Sequence, residues 1–357
     1  MNIYVGTLIT VAALSIVLGG TKKRNIKYIL IIAIGLLLLC ALRGDRVGSD
    51  LGRYETHYNT CDETEWEDIG ENYDWSNFGF YYLCKFHSVV FGSSFHSFLV
   101  MLAVIQALCL TFVIYKTSVN PYLSYTMYIA LGYYVFTYSG LKQAMATAFI
   151  FLAFVCILEK RPWLFTLFVL LAVTMHFPSI VFLAAYMIGR HKIGLLDTVY
   201  LAVIVLIIYL YRNQIVLLLS DAYGTVVETE AMGGVGGKII MMIALIFIGF
   251  LLRIPQGKTD MEYSCTFNFM IIAAILQTFA VYGNVFERLA DYYFVFAMFY
   301  VAFVFEKKEL RNINAKGIVH FYNTTQTVLG IGLFIFALMY YYSFIGSSVG
   351  LLPYSLY

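Results

Sequence analysis

Five apolar runs constrain this chain more than any other feature: Tyr28–Leu42, Phe95–Tyr115, Lys238–Leu252, Ser264–Tyr282 and Tyr322–Tyr342. Each approaches or exceeds the stretch that crosses about 30 Å of hydrocarbon as a helix. In lipid every backbone N–H and C=O must be satisfied internally, so only helices and closed barrels span. Barrel strands read as alternating segments of about ten residues, and these continuous runs do not. Composition agrees: 61% of the 357 residues are hydrophobic and only 12% are charged, about half the usual globular share. The expected fold is all-α: a polytopic transmembrane helical bundle of about 10–12 membrane helices, one integral membrane domain over residues 1–357. No stretch is both long and polar enough to bury a soluble catalytic core.

Charge distribution sets the expected orientation. The first apolar block, Ile3–Leu18, has no basic residue before it, and Lys22, Lys23 and Arg24 follow it. That pattern suits a retained helix with its N-terminus outside rather than a cleaved signal. Alternating twelve apolar blocks from that start puts fifteen of the 23 basic residues, but only six of the 21 acids, in the inside connections. This is the positive-inside bias. The sixth and seventh blocks are short and read either as one broken helix or as a re-entrant pair around Met175–Pro178. Two long segments then lie outside. Residues 43–94 are acidic in the middle and aromatic over Phe78–Phe91, which suits a helix lying in the interface. Residues 212–237 end in four glycines between Gly233 and Gly237 and suit a lid. Those glycines lack the Lys-Ser/Thr of a phosphate-binding loop. The six cysteines show no metal-binding spacing. Cys61 and Cys84 share the first outside segment and are candidates for a disulfide in an oxidising compartment.

The polar residues that carry chemistry gather at the expected outer face. The second helix runs into Arg43-Gly-Asp-Arg46-Val-Gly48-Ser-Asp50-Leu-Gly52-Arg-Tyr54. Such charges at a helix end are costly unless solvated or paired. A solvated helix end with anchoring charges is the plain alternative, but Gly48 and Gly52 permit turns that draw the charges together. Lys142-Gln143 opens a later helix after Tyr138-Ser-Gly, His176 lies between the sixth and seventh blocks, and Arg288 and Tyr292 open the eleventh. Taken singly, a helix-end histidine is a cap, and Arg288 has Glu287 and Asp291 to pair with. Arriving together, Arg and Lys side chains suit a lipid-linked diphosphate, because guanidinium forks match phosphate oxygens.

Four segments carry a family resemblance. Arg43-x-x-x-Val47-Gly48-Ser49-Asp50-x-x-x-Tyr54, Ser139-Gly-Leu-Lys142-Gln143-Ala-Met-Ala146, His176-Phe-Pro-Ser179 and Arg288-x-x-x-Tyr292-Tyr293 occur in the order found in the EpsG family of Wzy-type bacterial polysaccharide polymerases, which they resemble. Lys142 stands where that family usually has Arg, keeping the charge but not the bidentate fork. The resemblance implies a multi-pass enzyme of the bacterial cytoplasmic (inner) membrane. It would move a growing glycan (O-antigen, capsule or exopolysaccharide) from undecaprenyl diphosphate onto a new lipid-linked repeat unit at the outer face. Arg43, Arg46, Lys142 and Arg288 are then expected to bind diphosphate. Asp50 or His176 is the catalytic base, and Tyr54, Gln143 and Tyr292 bind glycan. No metal or other cofactor is expected. The expected partners are the lipid-linked oligosaccharide, membrane lipid and a chain-length regulator, with no nucleic acid. A flippase of lipid-linked oligosaccharides is the alternative of another class, though its binding residues would sit nearer the bilayer midplane. A membrane acyltransferase would need its histidine facing a cytoplasmic donor. A non-catalytic assembly partner would use the polar cluster for docking.

Overall fold

The computed structural model describes residues 3–18, 26–44, 46–72, 75–191, 200, 203–204, 206–215, 217, 236–252, 261–305, 316–346, 351 and 354–357. Most of the glycine-bearing segment 212–237, the basic connections 19–25, 192–199, 253–260 and 306–315, and Asp45 and Asp74 lie outside them.

Among the described residues the elements are all helices, joined by turns and loops, with one isolated β-bridge, Arg43 to Leu356. The helices are α1 (Ile3–Leu18), α2 (Ile26–Ala41), α3 (Leu51–Glu63), α4 (Ile69–Asn72), α5 (Phe78–Phe91), α6 (Phe95–Thr117), α7 (Pro121–Ala130), α8 (Tyr133–Phe136), α9 (Leu141–Leu158), α10 (Pro162–Met175), α11 (Ala185–Arg190), α12 (Gly237–Leu252), α13 (Met261–Gln277), α14 (Asn284–Phe294), α15 (Ala297–Val304) and α16 (Lys316–Gly346). Among the described residues, three helices are long and apolar enough to cross a membrane: α6, α9, and α13 continued to Tyr282. Shorter apolar helices accompany them. This is an all-α helical membrane protein.

Local chemistry explains why one apolar block yields several helices. Pro121–Tyr138 divides into α7 and α8 because Gly132, at φ 85°, turns left-handed where a side chain is disfavoured. α6 starts on Ser94, whose Oγ accepts from Ser97 N at 3.3 Å, and α7 on Asn120, whose Oδ1 accepts from Leu123 N at 3.1 Å, with Pro121 in its first turn. α10 stops at Met175; His176 is extended, and Phe177–Ala184 continues as 3₁₀ helix into α11. The short sixth and seventh blocks are therefore one helical path broken at His176. Lys116 closes α6 and reaches Glu159, which closes α9, at 3.9 Å, so both helices end on one side. That pair is exposed and contributes little stability.

Two compact units divide the chain. Unit 1 holds residues 1–183 and 332–357. Here α9 packs against α6 and α10, α2 against α6, α1 against α7, and α3 against α5. Residues 354–357 strap the end of α2: Gly44 N donates to Ser355 O (2.8 Å), Tyr357 N to Leu42 O (3.0 Å), and Tyr354 OH to Leu39 O (2.9 Å). Unit 2 holds residues 184–331. α13 is its centre, packed against α11, α12, α14 and α15. Asn268 Nδ2 donates to the carbonyls of Ile188 (2.5 Å) and His191 (3.0 Å), satisfying the end of α11.

Candidate active site

In unit 1 the structure brings three of the four motif segments together. Ser49 N donates to Ser139 Oγ at 3.2 Å, tying the loop before α3 to the turn before α9. Gly48, at φ 136°, lies against the Tyr138 carbonyl, and a Cβ there would collide with it. The Arg43 guanidinium lies over the Tyr138 ring, 4.7 Å from its centroid. From α9, Lys142 Nζ donates to Tyr81 OH on α5 (2.7 Å) and sits 4.3 Å from that ring's centroid. Tyr54 on α3 packs on Phe80 of α5, with centroids 5.7 Å apart. Gly79 rests on Thr174 and Met175, the end of α10 next to His176. Helix α5, over the aromatic segment Phe78–Phe91, is thus the hub joining α3, α9 and α10.

Arg43 is the least expected member. It is 2% exposed, its Nε has no hydrogen-bond partner among the described residues, and Nη1 reaches only the Cys40 sulfur at 3.6 Å. No carboxylate meets it among the described residues. A cation–π contact recovers part of the cost of burying a guanidinium, but an uncompensated buried charge costs several kcal/mol or so without an anion. Asp50 shows the complementary arrangement. It precedes α3 at the N-cap position, half-buried, and its carboxylate makes no capping bond there. Arg46 is exposed. Gln143 and His176 are buried, and Gln143 Oε1 and Ser179 Oγ have no hydrogen-bond partner among the described residues.

His57 escaped the reading of the sequence. It lies one turn after Tyr54 on α3, edge-on to Tyr81 with centroids 5.8 Å apart. Burial, then Lys142 and Arg53, hold its imidazole below the ordinary histidine range, so it is neutral near pH 7. The signal available was its i, i+3 relation to Tyr54; its place beside Lys142 depends on the fold. Two further polar groups of this region are structural. His87 is buried and satisfied on both nitrogens, by Tyr58 OH (2.8 Å) and Ser97 Oγ (3.2 Å). Cys61 and Cys84 are free buried thiols within hydrogen-bonding reach of each other, and burial pushes the Cys84 thiol well up. The structure therefore places the proposed disulfide partners side by side, unbonded.

Unit 2 carries the fourth segment on α14. Arg288 is exposed, and it pairs with neither Glu287 nor Asp291. Both acids instead go to Lys238 at the start of α12, which meets Glu287 Oε1 at 3.0 Å and Asp291 Oδ1 at 2.6 Å. Its side chain is only 12% exposed. Nothing in the sequence around Lys238 marks it, because it is one cation at the head of an apolar run. Tyr292 is fully buried, so its ring does not face the surface of the unit.

Unit 1 of this helical membrane protein thus holds the buried Arg43 guanidinium on Tyr138 and the Lys142 ammonium on the aromatic helix α5. A comparison with protein families then identifies the group: the model of the EpsG family matches residues 26–356, and the chain belongs to it. That is the Wzy-type polymerase-like family, which gives the chain a polysaccharide-polymerase type of role. Comparisons with curated proteins and with solved structures produced no match.

Proposed function

We propose that the protein is a glycosyltransferase that lengthens a polysaccharide by moving the growing glycan from a polyprenyl (undecaprenyl) diphosphate onto a new lipid-linked repeat unit, at the outer face of the cytoplasmic membrane. The observation that carries this reading is the buried Arg43 guanidinium, which no anion meets among the described residues. A diphosphate would supply the missing charge. In the reaction, an acceptor sugar hydroxyl forms a bond to the anomeric carbon while that carbon's bond to the diphosphate oxygen breaks. Charge grows on the leaving diphosphate, so cations already positioned there lower the barrier most. Arg43 and Lys142 fill that role, with Arg46 as a further phosphate ligand; Arg288, on unit 2, is proposed to bind phosphate on the strength of its motif alone. The hydroxyl proton goes to a base. Asp50 fits best, as a carboxylate not engaged in capping its own helix, and His57 and His176 are the other groups able to take it. Tyr54 and the rings of α5 offer faces for sugar stacking, and the unmet Gln143 and Ser179 oxygens could accept from sugar hydroxyls.

The test is polymerisation by the purified protein in nanodiscs, given only its lipid-linked repeat unit and no nucleotide sugar. A ladder of longer glycans that disappears in folded Arg43→Ala and Asp50→Ala protein is the expected result. Absence of a ladder with native substrate, together with movement of that substrate across a liposome membrane, would replace this reading with a flippase.

A further inference from the structure

Unit 1 contains a shallow apolar groove, open to solvent on one side, between α2, α6, α7 and α8. Its α2 wall is Ala33, Leu36, Leu37 and Cys40, an i, i+3, i+4, i+7 stripe running about 10 Å along the helix axis. Ala103, Gln106 and Ala107 of α6 run alongside. Both stripes belong to apolar helices, and the groove follows their axes. Leu37, Gln106 and Ala107 are half-exposed and form its open side.

The two ends of the groove differ. At the far end Tyr125 OH donates to Thr111 Oγ1 (3.0 Å) and closes it. At the near end Cys40 Sγ lies 3.9 Å from Thr137 Oγ1 and 3.6 Å from Arg43 Nη1. Through Cys40, the groove therefore ends against the Arg43 guanidinium, which no anion meets among the described residues. Tyr134, another lining residue, bonds Tyr138 OH at 2.8 Å, and Tyr138 carries Arg43 on its ring. One rigid set of side chains thus joins an apolar slot to a buried cation.

The geometry points to this groove as the binding cleft for the first isoprene units of the polyprenyl tail, with the diphosphate held at Arg43. This rests on the polymerase reading and adds to it the position of the lipid half of the donor. A cation at the mouth of an apolar slot matches a molecule whose charge sits at the end of a hydrocarbon chain. Ala33, Ala103 and Ala107 leave width that a methyl-branched chain fills better than a straight one. A diphosphate also brings more negative charge to the guanidinium than a phosphodiester does.

The experiment uses the full chain in nanodiscs with a polyprenyl diphosphate that bears a diazirine on its first isoprene units. Cross-links should map to residues 33–40 and 103–110 and should be competed by unlabelled polyprenyl diphosphate. Ala107→Phe, which fills the groove, should weaken binding of that probe by roughly tenfold or more, as expected for losing the burial of about two methylenes. Leu37→Trp on the open side makes the same test with less demand on packing. Cross-links elsewhere, equal competition by the disc phospholipid, or wild-type affinity in both variants would each overturn the proposal. If the wild type makes a ladder while both groove variants bind and polymerise normally, the tail cleft fails and the polymerase reading stands. No ladder from the wild type on native substrate sinks the polymerase reading, and the tail cleft with it.

Discussion

The two units treat the charges of their motif segments in opposite ways. In unit 1 those charges are unpaired among the described residues: Arg43 is buried on a tyrosine ring with no acid against it, and Asp50 holds a carboxylate that does not cap its own helix. In unit 2, acids and cation are drawn together, with Lys238 taking both Glu287 and Asp291 and leaving the exposed Arg288 out. A group held without its natural partner stores interaction energy that a ligand can release, whereas a satisfied trio sets geometry. On the proposed function, the contrast gives binding and chemistry to Arg43 and Asp50 and positioning to Lys238, and each role can be tested.

The sharpest attack on that contrast is Asp50→Asn, which keeps shape and hydrogen bonding but removes the base. Polymerisation should fall about 10²–10⁴-fold with the melting temperature little changed, because the carboxylate makes no cap to lose. Activity near wild type would move the base to His57 or His176. Arg43→Met comes next. Removing a cation that was to stabilise the leaving diphosphate should cost about 10²–10³-fold in rate. The same change should leave the protein as stable or more so, since apolar replacement of a poorly compensated buried charge is often neutral or stabilising by about 1–4 kcal/mol. Loss of stability in Arg43→Met would mean that the aromatic contact alone justifies the buried cation. Lys238→Met tests the other half. It frees Glu287 and Asp291, and Asp291, three residues along α14 from Arg288, can then pair with it. A drop of about tenfold in activity is expected, with about 1–3 kcal/mol of stability lost with the charged hydrogen bonds. Asp291→Asn added to Lys238→Met should recover activity but not stability, and failure to recover it would remove the positioning role.

The fold class and its site were unequally legible in the sequence. Apolar runs that approach or exceed the length needed to cross a bilayer leave almost no choice but helices, and the motif order was enough to name the family. What the runs hid were breaks: Gly132 divides one block into two helices, and His176 interrupts another path without ending it. Three motif segments do meet in unit 1, yet Tyr81, which accepts from the Lys142 ammonium, carries no motif of its own. Charge partition was hidden for a deeper reason. Arg288 has acids at i−1 and i+3, so local sequence favours pairing on α14, and only tertiary contact with Lys238, fifty residues earlier, takes those acids away. Cys61 and Cys84 illustrate the same limit: sequence could place both in one segment, but only packing of α3 on α5 sets one thiol against the other.

The smallest expected effect is a pH dependence that sharpens the reading of α3. Both His57 and His87 are held below the ordinary histidine range, in each case chiefly by burial. In the unfolded chain both regain an ordinary value near 6.5 or so. As pH falls through that range the unfolded state takes up protons before the folded state does, and stability falls wherever the unfolded state binds more. The stabilisation is therefore complete above about pH 6.5 and is lost as pH drops toward the folded values. The melting temperature of the purified protein should decline on acidification from pH 7.5 to 5.5. His57→Gln should flatten part of that decline, because it removes one of the two depressed groups while leaving Tyr81 and Lys142 in contact. If the base is Asp50 and not His57, the variant should still build glycan at neutral pH. A flattened stability curve with lost activity would instead make the neutral imidazole beside Lys142 the proton acceptor, and unit 1 would then hold its cation next to its base rather than apart from it.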